Sequence, residues 1–225
     1  KMEYGEPPGN ASQAELDRAL RLNLRTRIYR HFDSAGVATN ARLDANGSPI
    51  EAYDFKGNLL HSTRRLARDY TAVPDWLLPT EPQLDGESFE GATRYDALNR
   101  PIQSVAPHSN LTRAQHPNKI NVIQPVFNEA NLLERVDVWL ERPSEPTKLL
   151  DRKDPNDGPP SPVGVANIDY DAKGQRLRID YKTQDTTVIR TSYAYDPETF
   201  RLTHLYTRRG VDPATEHGVS FTEDC

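Results

Sequence analysis

Apolar and polar residues alternate along much of this chain with the two-residue period of a β-strand. Leu177, Ile179 and Tyr181 fall on one side of a predicted strand, and the charged residues between them fall on the other. A similar alternation follows over 187–195, so residues 165–207 are predicted to form a meander of short antiparallel strands. Strands with one charged side bury only the other side. The pattern therefore predicts a mainly β fold in which one face of the sheet is exposed to solvent.

Helical signals occur at two places. Ser12 with Glu15 three residues later is a capping-box pattern, and it predicts a short N-terminal helix of about three turns. The apolar residues that follow share one helical face: Leu16, Ala19, Leu20 and Leu24. A second short helix is predicted to start at a cap formed by Ser62 or Thr63 and to run to Tyr70.

Proline-rich and polar stretches separate the other predicted strands. The strands are predicted at 25–32, at 91–105 and, as a pair about Asn128, within 121–141. Long loops are predicted at 71–91, at 106–119 and at 142–164, the last of them exposed. Trp76 and Trp139 are predicted to be packing anchors. The chain is therefore divided into a helical lead-in (1–24), a β-sheet segment (25–209) and a tail (210–225).

One motif recurs where the predicted strands end: an aromatic residue or leucine, then Asp or Asn, two variable residues, and Gly or Asn. It is present in "YDFKGNLL", "YDALNRPI" and "IDYDAKGQRLRIDY". Asp favours the first position of a type I turn because its carboxylate accepts hydrogen bonds from backbone N–H groups. A residue with positive φ then lets the chain pair again as an antiparallel strand. The predicted turn residues are Asp33, Gly36, Asp44, Gly47, Asp54, Gly57, Asp96, Asn99, Asn128, Asn131, Asp171, Gly174 and Asp196. The unit at Asp196 has an extra residue and no glycine, which predicts a longer turn.

Composition and charge narrow the class of protein. The chain has 33 acidic and 28 basic side chains and a formal net charge of −5, which argues against a nucleic-acid partner. No apolar run reaches the length of about 18 residues that a membrane-spanning helix needs. The single cysteine, Cys225, cannot form an internal disulfide.

The residue types that carry catalysis or bind metals do not form recognisable patterns. The six histidines lack helical pair spacing, and Asp151, Asp154 and Asp157 lack the alternate spacing of a calcium loop. No nucleophile elbow or phosphate-binding glycine motif occurs. A carboxylate that recurs at every turn is expected to form turns, so we expect no enzymatic activity and no cofactor.

The repeated units resemble the YD (tyrosine-aspartate) repeats of RHS proteins. The resemblance is closer still to the B and C components of bacterial insecticidal toxin complexes (Tc toxins) and their SpvB-type fusions. The blocks that carry it follow in order over residues 24–209: "EAYDFKGNLLHSTRRLARDYTAVPDW", "YDALNRPI", "NEANLLERVDV", "IDYDAKGQRLRIDY" and "YAYDPETFRLTHL". "LDANGSPI", from Leu43, looks like an additional turn unit.

The resemblance implies an antiparallel ribbon of β-hairpins that forms part of a hollow RHS shell around a C-terminal toxic polypeptide. It implies a secreted protein whose partners are neighbouring shell segments, the enclosed toxin polypeptide and, through the full-length protein, a channel-forming component. No catalytic residue is carried over, because the chain lacks the core region in which the family cuts off its cargo. The polar side of the strands is expected to face that cargo.

A different class of function remains open. YD repeats also occur in cell-surface adhesion proteins, where loops bind partners. Under that alternative, the predicted loops at 71–91 and 142–164 would be the contact sites of an extracellular binding module.

Overall fold

The computed structural model describes residues 1–111, 120–184 and 187–211. These residues are mainly antiparallel β-strand, and one α-helix is present among them. The predicted fold class is therefore confirmed. The chain divides into two compact units, the first comprising Lys1–Val122 with Glu141–Glu145 and the second Ile123–Leu140 with Pro146–Cys225.

The first unit is built on hairpins with one helix at its start. Its elements are β1 (Met2–Tyr4), α1 (Gln13–Arg21), β2 (Ile28–Asp33), β3 (Gly36–Thr39), β4 (Arg42–Leu43), β5 (Pro49–Glu51), β6 (His61–Ala67), β7 (Leu84–Tyr95) and β8 (Pro101–Ser109). The hydrogen-bonded order is β1-β2-β3-β6-β7-β8, while β4 and β5 form a separate two-stranded sheet. All of the described pairings in this unit are antiparallel.

The second unit is a meander in chain order. Its strands are β9 (Ile120–Phe127), β10 (Leu133–Arg142), β11 (Val165–Tyr170), β12 (Arg176–Tyr181), β13 (Val188–Tyr195) and β14 (Leu202–Val211), where β9 starts and β10 ends in residues of the first unit. The pair of strands predicted about Asn128 and the meander predicted over 165–207 are both confirmed.

The N-terminal helix has the cap that the sequence predicts. Glu15 N–H donates to Ser12 Oγ at 3.4 Å, and Ser12 N–H donates to Glu15 Oε2 at 2.8 Å, so both halves of the capping box are present. The expected apolar face is only partly buried, because Ala19 is buried whereas Leu20 is 66% exposed. The helix ends at Arg21, and Leu24 reaches the core from the following turn rather than from the helix.

The helix predicted from Ser62 or Thr63 to Tyr70 is wrong, because this stretch forms β6. β6 lies between β3 and β7, so its backbone groups are hydrogen-bonded on both sides. His61 and Thr63 are buried at alternate positions, as a strand requires. Ladder pairing with two neighbours outweighs a local capping signal, since helix propensity is a weak preference.

Several predicted loops are shorter than expected. β7 begins at Leu84 rather than near residue 91, and β8 continues to Ser109, although Gly91 and Pro107 lie within these strands.

Other predicted boundaries differ or lie outside the described part of the chain. β2 begins at Ile28, three residues later than predicted. Residues 112–119 of the loop predicted at 106–119, and residues 212–225 of the predicted tail, lie outside the described residues.

The loop between β10 and β11 is largely exposed, as expected, and it is also hydrogen-bonded to the sheet. Gln124 Nε2 donates to the carbonyl of Leu150 at 3.0 Å, and Leu150 N–H donates back to Gln124 Oε1 at 2.8 Å. Trp139 is buried, and its Nε1 donates to the carbonyl of Gly158 at 3.1 Å. A buried glutamine and a buried tryptophan thus satisfy loop backbone groups that the sheet cannot reach.

Trp76 has the corresponding role in the first unit. Its ring is buried against Phe32, with centroids 5.2 Å apart, and its Nε1 donates to the carbonyl of Asp33 at 2.8 Å. The prediction that both tryptophans are packing anchors is confirmed.

Candidate functional site

Five of the predicted turns share one hydrogen-bonding geometry. They begin at Asp44, Asp54, Asp96, Asn128 and Asp171. In each, the N–H of the first residue donates to the carbonyl of the fifth, and the N–H of the fourth donates to the carbonyl of the first, at 2.9–3.1 Å. The fourth residue has φ between +62° and +93° in every case, and Gly or Asn occupies it: Gly47, Gly57, Asn99, Asn131 and Gly174.

The side chain of the first residue closes each turn. Its Oδ1 accepts the N–H of the fifth residue at 2.8–3.0 Å, and the five donors are Ser48, Asn58, Arg100, Leu132 and Gln175. Asn128 makes this contact as well as the aspartates do, because the contact uses an oxygen acceptor and not a negative charge. The recurring Asp or Asn is therefore bound to its own backbone.

Two predicted turns differ in length. Asp33 and Gly36 are directly paired across a two-residue hairpin, where Asp33 Oδ1 accepts from the N–H groups of Ala35 and Gly36. The turn at Asp196 is one residue longer than the common form, since its N–H donates to the carbonyl of Arg201. Its left-handed residue is Phe200, with φ of 58°, which the glycine and asparagine pattern did not indicate.

Hydrogen bonds lower the pKa values of three turn carboxylates, those of Asp54, Asp96 and Asp196. The backbone N–H of Arg100, together with its guanidinium, holds the pKa of Asp96 below its ordinary value. For Asp54, partial burial raises the pKa, but hydrogen bonds from Asn58, Gly57 and Lys56 outweigh it. Carboxylates that are ionised and already occupied by backbone donors are poor general acids or bases at neutral pH.

A second group of residues lies on one face of the second unit. Register places Asn167, Asp180, Arg190 and Arg208 side by side across four strands, and Asp169, Arg178, Ser192 and Tyr206 beside them in a second row. We call these eight residues the charged face. Directly paired residues of an antiparallel sheet share a face, so the alternation predicted at 175–181 extends across the neighbouring strands.

The charged face is held together by its own ion pairs. Arg190 Nε and Nη2 donate to the two carboxylate oxygens of Asp180 at 2.7 and 3.0 Å, and both residues are buried, at 3% and 8% exposure. Arg178 Nε lies 2.5 Å from Asp169 Oδ2, and Asn167 Nδ2 donates to Asp169 Oδ1 at 2.6 Å. Opposite charges that are paired within the face leave little net attraction for a third group.

Asp137 on β10 adds a third charged centre. Its carboxylate accepts from Lys182 Nζ at 2.6 Å and from Arg135 Nε at 3.1 Å, and the residue is 3% exposed. Burial raises the pKa of Asp137, but the hydrogen bonds and charges of Lys182 and Arg135 outweigh it, so the pKa is lowered. No local pattern predicts this contact, since Asp137 and Lys182 are 45 residues apart in the sequence.

The opposite face of the same strands is apolar at its centre. Ile168 and Ile179 are paired across β11 and β12, and Thr191 continues the row on β13. All three are buried, with 6–7% exposure. The second unit therefore has one apolar and one charged face. Two apolar faces would have contradicted the expectation that one side of the strands is polar.

Clusters of metal-binding side chains and membrane-spanning helices are both absent from the described part of the chain. Within it, no group of three or more His, Cys, Asp or Glu side chains is arranged to hold a metal ion. His116, His217 and Cys225 lie outside the described residues. No helix over residues 1–111, 120–184 and 187–211 is both long and apolar enough to cross a membrane.

Comparison with known proteins identifies similar structures but no similar sequence family. No protein-family model matches the chain, and no curated protein matches it. The chain is similar to the crystal structure of TcdB2-TccC3, with a TM-score of 0.58 and 20% identity over 95% of this chain. It is also similar to TcdB2-TccC3-TEV, with a TM-score of 0.57 and 21% identity over 92% of this chain.

A third structure, TcdB2-TccC3 without its hypervariable C-terminal region, gives a TM-score of 0.56 and 21% identity over 88% of this chain. The chain spans only 7–8% of the length of these three proteins. At this level of identity the comparison establishes a shared fold.

Proposed function

We propose that this chain is a structural segment of the β-sheet shell of a toxin-complex protein. The shell encloses a C-terminal toxic polypeptide for delivery into target cells, and the charged face lines its inner side. The segment performs no chemistry of its own. The observation that carries the proposal is a meander with one charged and one apolar face, in a fold similar to TcdB2-TccC3.

The charged face suits contact with an unfolded polypeptide. Apolar segments of such a polypeptide bind large apolar patches, and ion-paired side chains offer none. Asp180 with Arg190 and Asp169 with Arg178 satisfy each other, and Arg208 Nε donates to the Tyr206 hydroxyl, so the charged side chains of this wall have partners within it. A wall of this kind encloses a polypeptide without binding it tightly.

The turn geometry supports a structural role. Asp54, Asp96 and Asp171 each close their own turn through backbone donors, which leaves these carboxylates engaged. Neighbouring turns are also joined, since Asn58 Nδ2 donates to Asn99 Oδ1 at 3.0 Å and Gln175 Nε2 donates to the carbonyl of Phe200 at 2.9 Å. The recurring residues thus fix the edge of a ribbon.

We propose the same partners and location that the resemblance to RHS proteins implies. The partners are neighbouring shell segments, the enclosed polypeptide and, through the full-length protein, a channel-forming toxin component. The protein that contains this segment is proposed to be secreted.

Protease protection in the full-length polypeptide tests this function. The natural polypeptide that contains these 225 residues would be treated with a nonspecific protease, before and after the shell is opened with denaturant. We expect a C-terminal fragment to survive in the closed state and to be digested after opening. A C-terminal region that is digested equally fast in both states would contradict the proposal.

One observation favours the alternative of an extracellular binding module. The loop between β6 and β7 presents three apolar side chains to solvent, with Tyr70, Val73 and Leu77 each at least 85% exposed. Trp76, at the centre of this loop, is buried and fixes it to the sheet. Replacing Tyr70 and Leu77 by serine would abolish cell-surface binding under the alternative and leave protease protection unchanged under the shell proposal.

A further inference from the structure

The β4–β5 hairpin stands apart from the other strands of the first unit. It forms its own two-stranded sheet and contains the additional turn unit "LDANGSPI". Ala41 and Ala52, which flank it, are 0% and 1% exposed and pack with Leu22 and Leu24. The tip of the hairpin, residues 45–47, is exposed. The hairpin is thus anchored at both ends beside an apolar cluster.

Polar and ionisable contacts tie the hairpin to neighbouring elements. Thr63 Oγ1 on β6 donates to the carbonyl of Ala41 at 2.9 Å. Glu51 Oε2 on β5 lies 3.1 Å from His61 Nε2 on β6. Arg42 on β4 forms an ion pair with Glu145. A change in the charge of this group would therefore act directly on the hairpin.

His61 is at the centre of that group. Its side chain is only 10% exposed. The charged and titratable groups around it come from β4, β5, β7, β8 and the segment 141–145: Arg42, Glu51, Arg94, His108 and Glu145, the last with its Oε1 3.6 Å from His108 Nε2. Two arginines balance two glutamates while His61 is neutral, so protonation of His61 adds an uncompensated positive charge to a buried site.

The balance of charges opposes that protonation. Burial lowers the pKa of His61, and the positive charge of Arg42 lowers it further. Glu51 and Glu145 act in the opposite direction, but Glu51 is half exposed and Glu145 is shared with Arg42. A histidine whose pKa is lowered by folding contributes full stability above its unfolded pKa of about 6.5, and this stability is lost as the pH falls below that value.

We propose that the β4–β5 hairpin is a pH-sensitive flap, closed at neutral pH and released from the sheet in mild acid, with His61 as its sensor. Release separates Leu43 and the flanking Ala41 and Ala52 from the apolar residues packed against them, Leu22, Leu24, Tyr29 and Tyr53, and uncovers those residues. The flap depends on contacts within the first unit and not on the proposed shell function.

Hydrogen exchange measured by mass spectrometry tests the flap in the 225-residue chain at about pH 7.5 and about pH 5.5. After correction for intrinsic exchange, we expect peptides covering 42–51 to exchange several-fold faster at the lower pH. Peptides of β12 serve as the internal control and should keep their protection. His61→Gln, which cannot be protonated, should remove the acceleration, whereas His108→Gln should retain most of it.

An NMR titration keeps the proposal testable if His61→Gln does not fold. The ring protons of His61 in the unaltered chain should titrate below about pH 6.5. Arg94→Gln removes one positive neighbour and should move this midpoint upward. Hydrogen exchange of 42–51 that is the same at both pH values, or a His61 midpoint at or above the ordinary value, would overturn the flap.

Discussion

At the scale of single residues, two turn glycines have similar left-handed backbones and different surroundings. Gly57 (φ +93°) lies under the guanidinium of Arg27, where an added Cβ would lie 2.1 Å from Nη2. Gly47 (φ +77°) has open space around its Cα. A comparison of alanine at the two positions therefore separates backbone strain from steric contact.

Gly47→Ala is expected to lower the free energy of unfolding by about 1 kcal/mol, since left-handed backbone costs a residue with a Cβ roughly that amount. Gly57→Ala should lose about 2 kcal/mol, because Arg27 must also move from its position over the Tyr53 ring. Urea unfolding of both variants measures the difference. Equal losses would show that the Arg27 contact is unimportant.

The turn carboxylates predict how stability depends on acid. Folding lowers the pKa values of Asp54, Asp96 and Asp196, so the stability from their ionised forms is present above the unfolded value of about 3.9 and is lost as the pH falls below it. The free energy of unfolding should therefore decrease between about pH 4 and pH 2.

Asp96→Asn tests this directly, since Asn128 shows that asparagine closes the same turn. This variant should be slightly less stable at neutral pH, because it loses the ion pair with Arg100, and should show a shallower decrease in acid. A decrease as steep as that of the unaltered chain would mean that Asp96 does not contribute.

At the scale of the elements, the buried pair Asp180–Arg190 and the more exposed pair Asp169–Arg178 differ in energy. Asp180→Ala leaves a buried guanidinium without its partner and should cost about 3–5 kcal/mol. Asp169→Ala, the matched control on the same face, should cost less than about 1 kcal/mol, because its pair is about one-third exposed. Urea unfolding of the two variants compares them, and similar losses would contradict this view of the charged face.

Gln124 gives a second prediction at this scale. Gln124→Ala removes both hydrogen bonds to the backbone of Leu150 and leaves a buried N–H and carbonyl unsatisfied, which should cost about 2–3 kcal/mol. The amide of Leu150 should then exchange faster with solvent, whereas Gln83→Ala, at an exposed position, should change neither quantity. Unaltered protection of Leu150 would show that the loop is held in another way.

Features that depend on residues close together in the sequence could be predicted, whereas features that depend on pairing between distant strands could not. The turn at Asp196 was expected to be longer, and the capping box at Ser12 was expected from Glu15, because each depends on neighbours within five residues. The helix predicted from Ser62 was wrong, since β6 is stabilised by pairing with strands far away in the sequence. The contacts of Asp180 with Arg190 and of Asp137 with Lys182 could not be predicted, because register sets them.

At the scale of the whole molecule, the proposed shell requires that the charged face of the second unit, and not the apolar face, meets the enclosed polypeptide. Ser192 and Tyr193 are adjacent in β13, are both half-buried and lie on opposite faces: Ser192 pairs with Arg178 on the charged face, and Tyr193 pairs with Leu205. They therefore form a matched pair of positions for a chemical probe.

The most direct measurement is site-specific photo-crosslinking in the complete natural polypeptide, with a photoreactive amino acid placed at position 192 or at position 193. We predict that crosslinks from position 192 join the shell to the enclosed C-terminal polypeptide, and that those from position 193 do not. Crosslinks to that polypeptide from position 193 alone, or from neither position, would contradict the account.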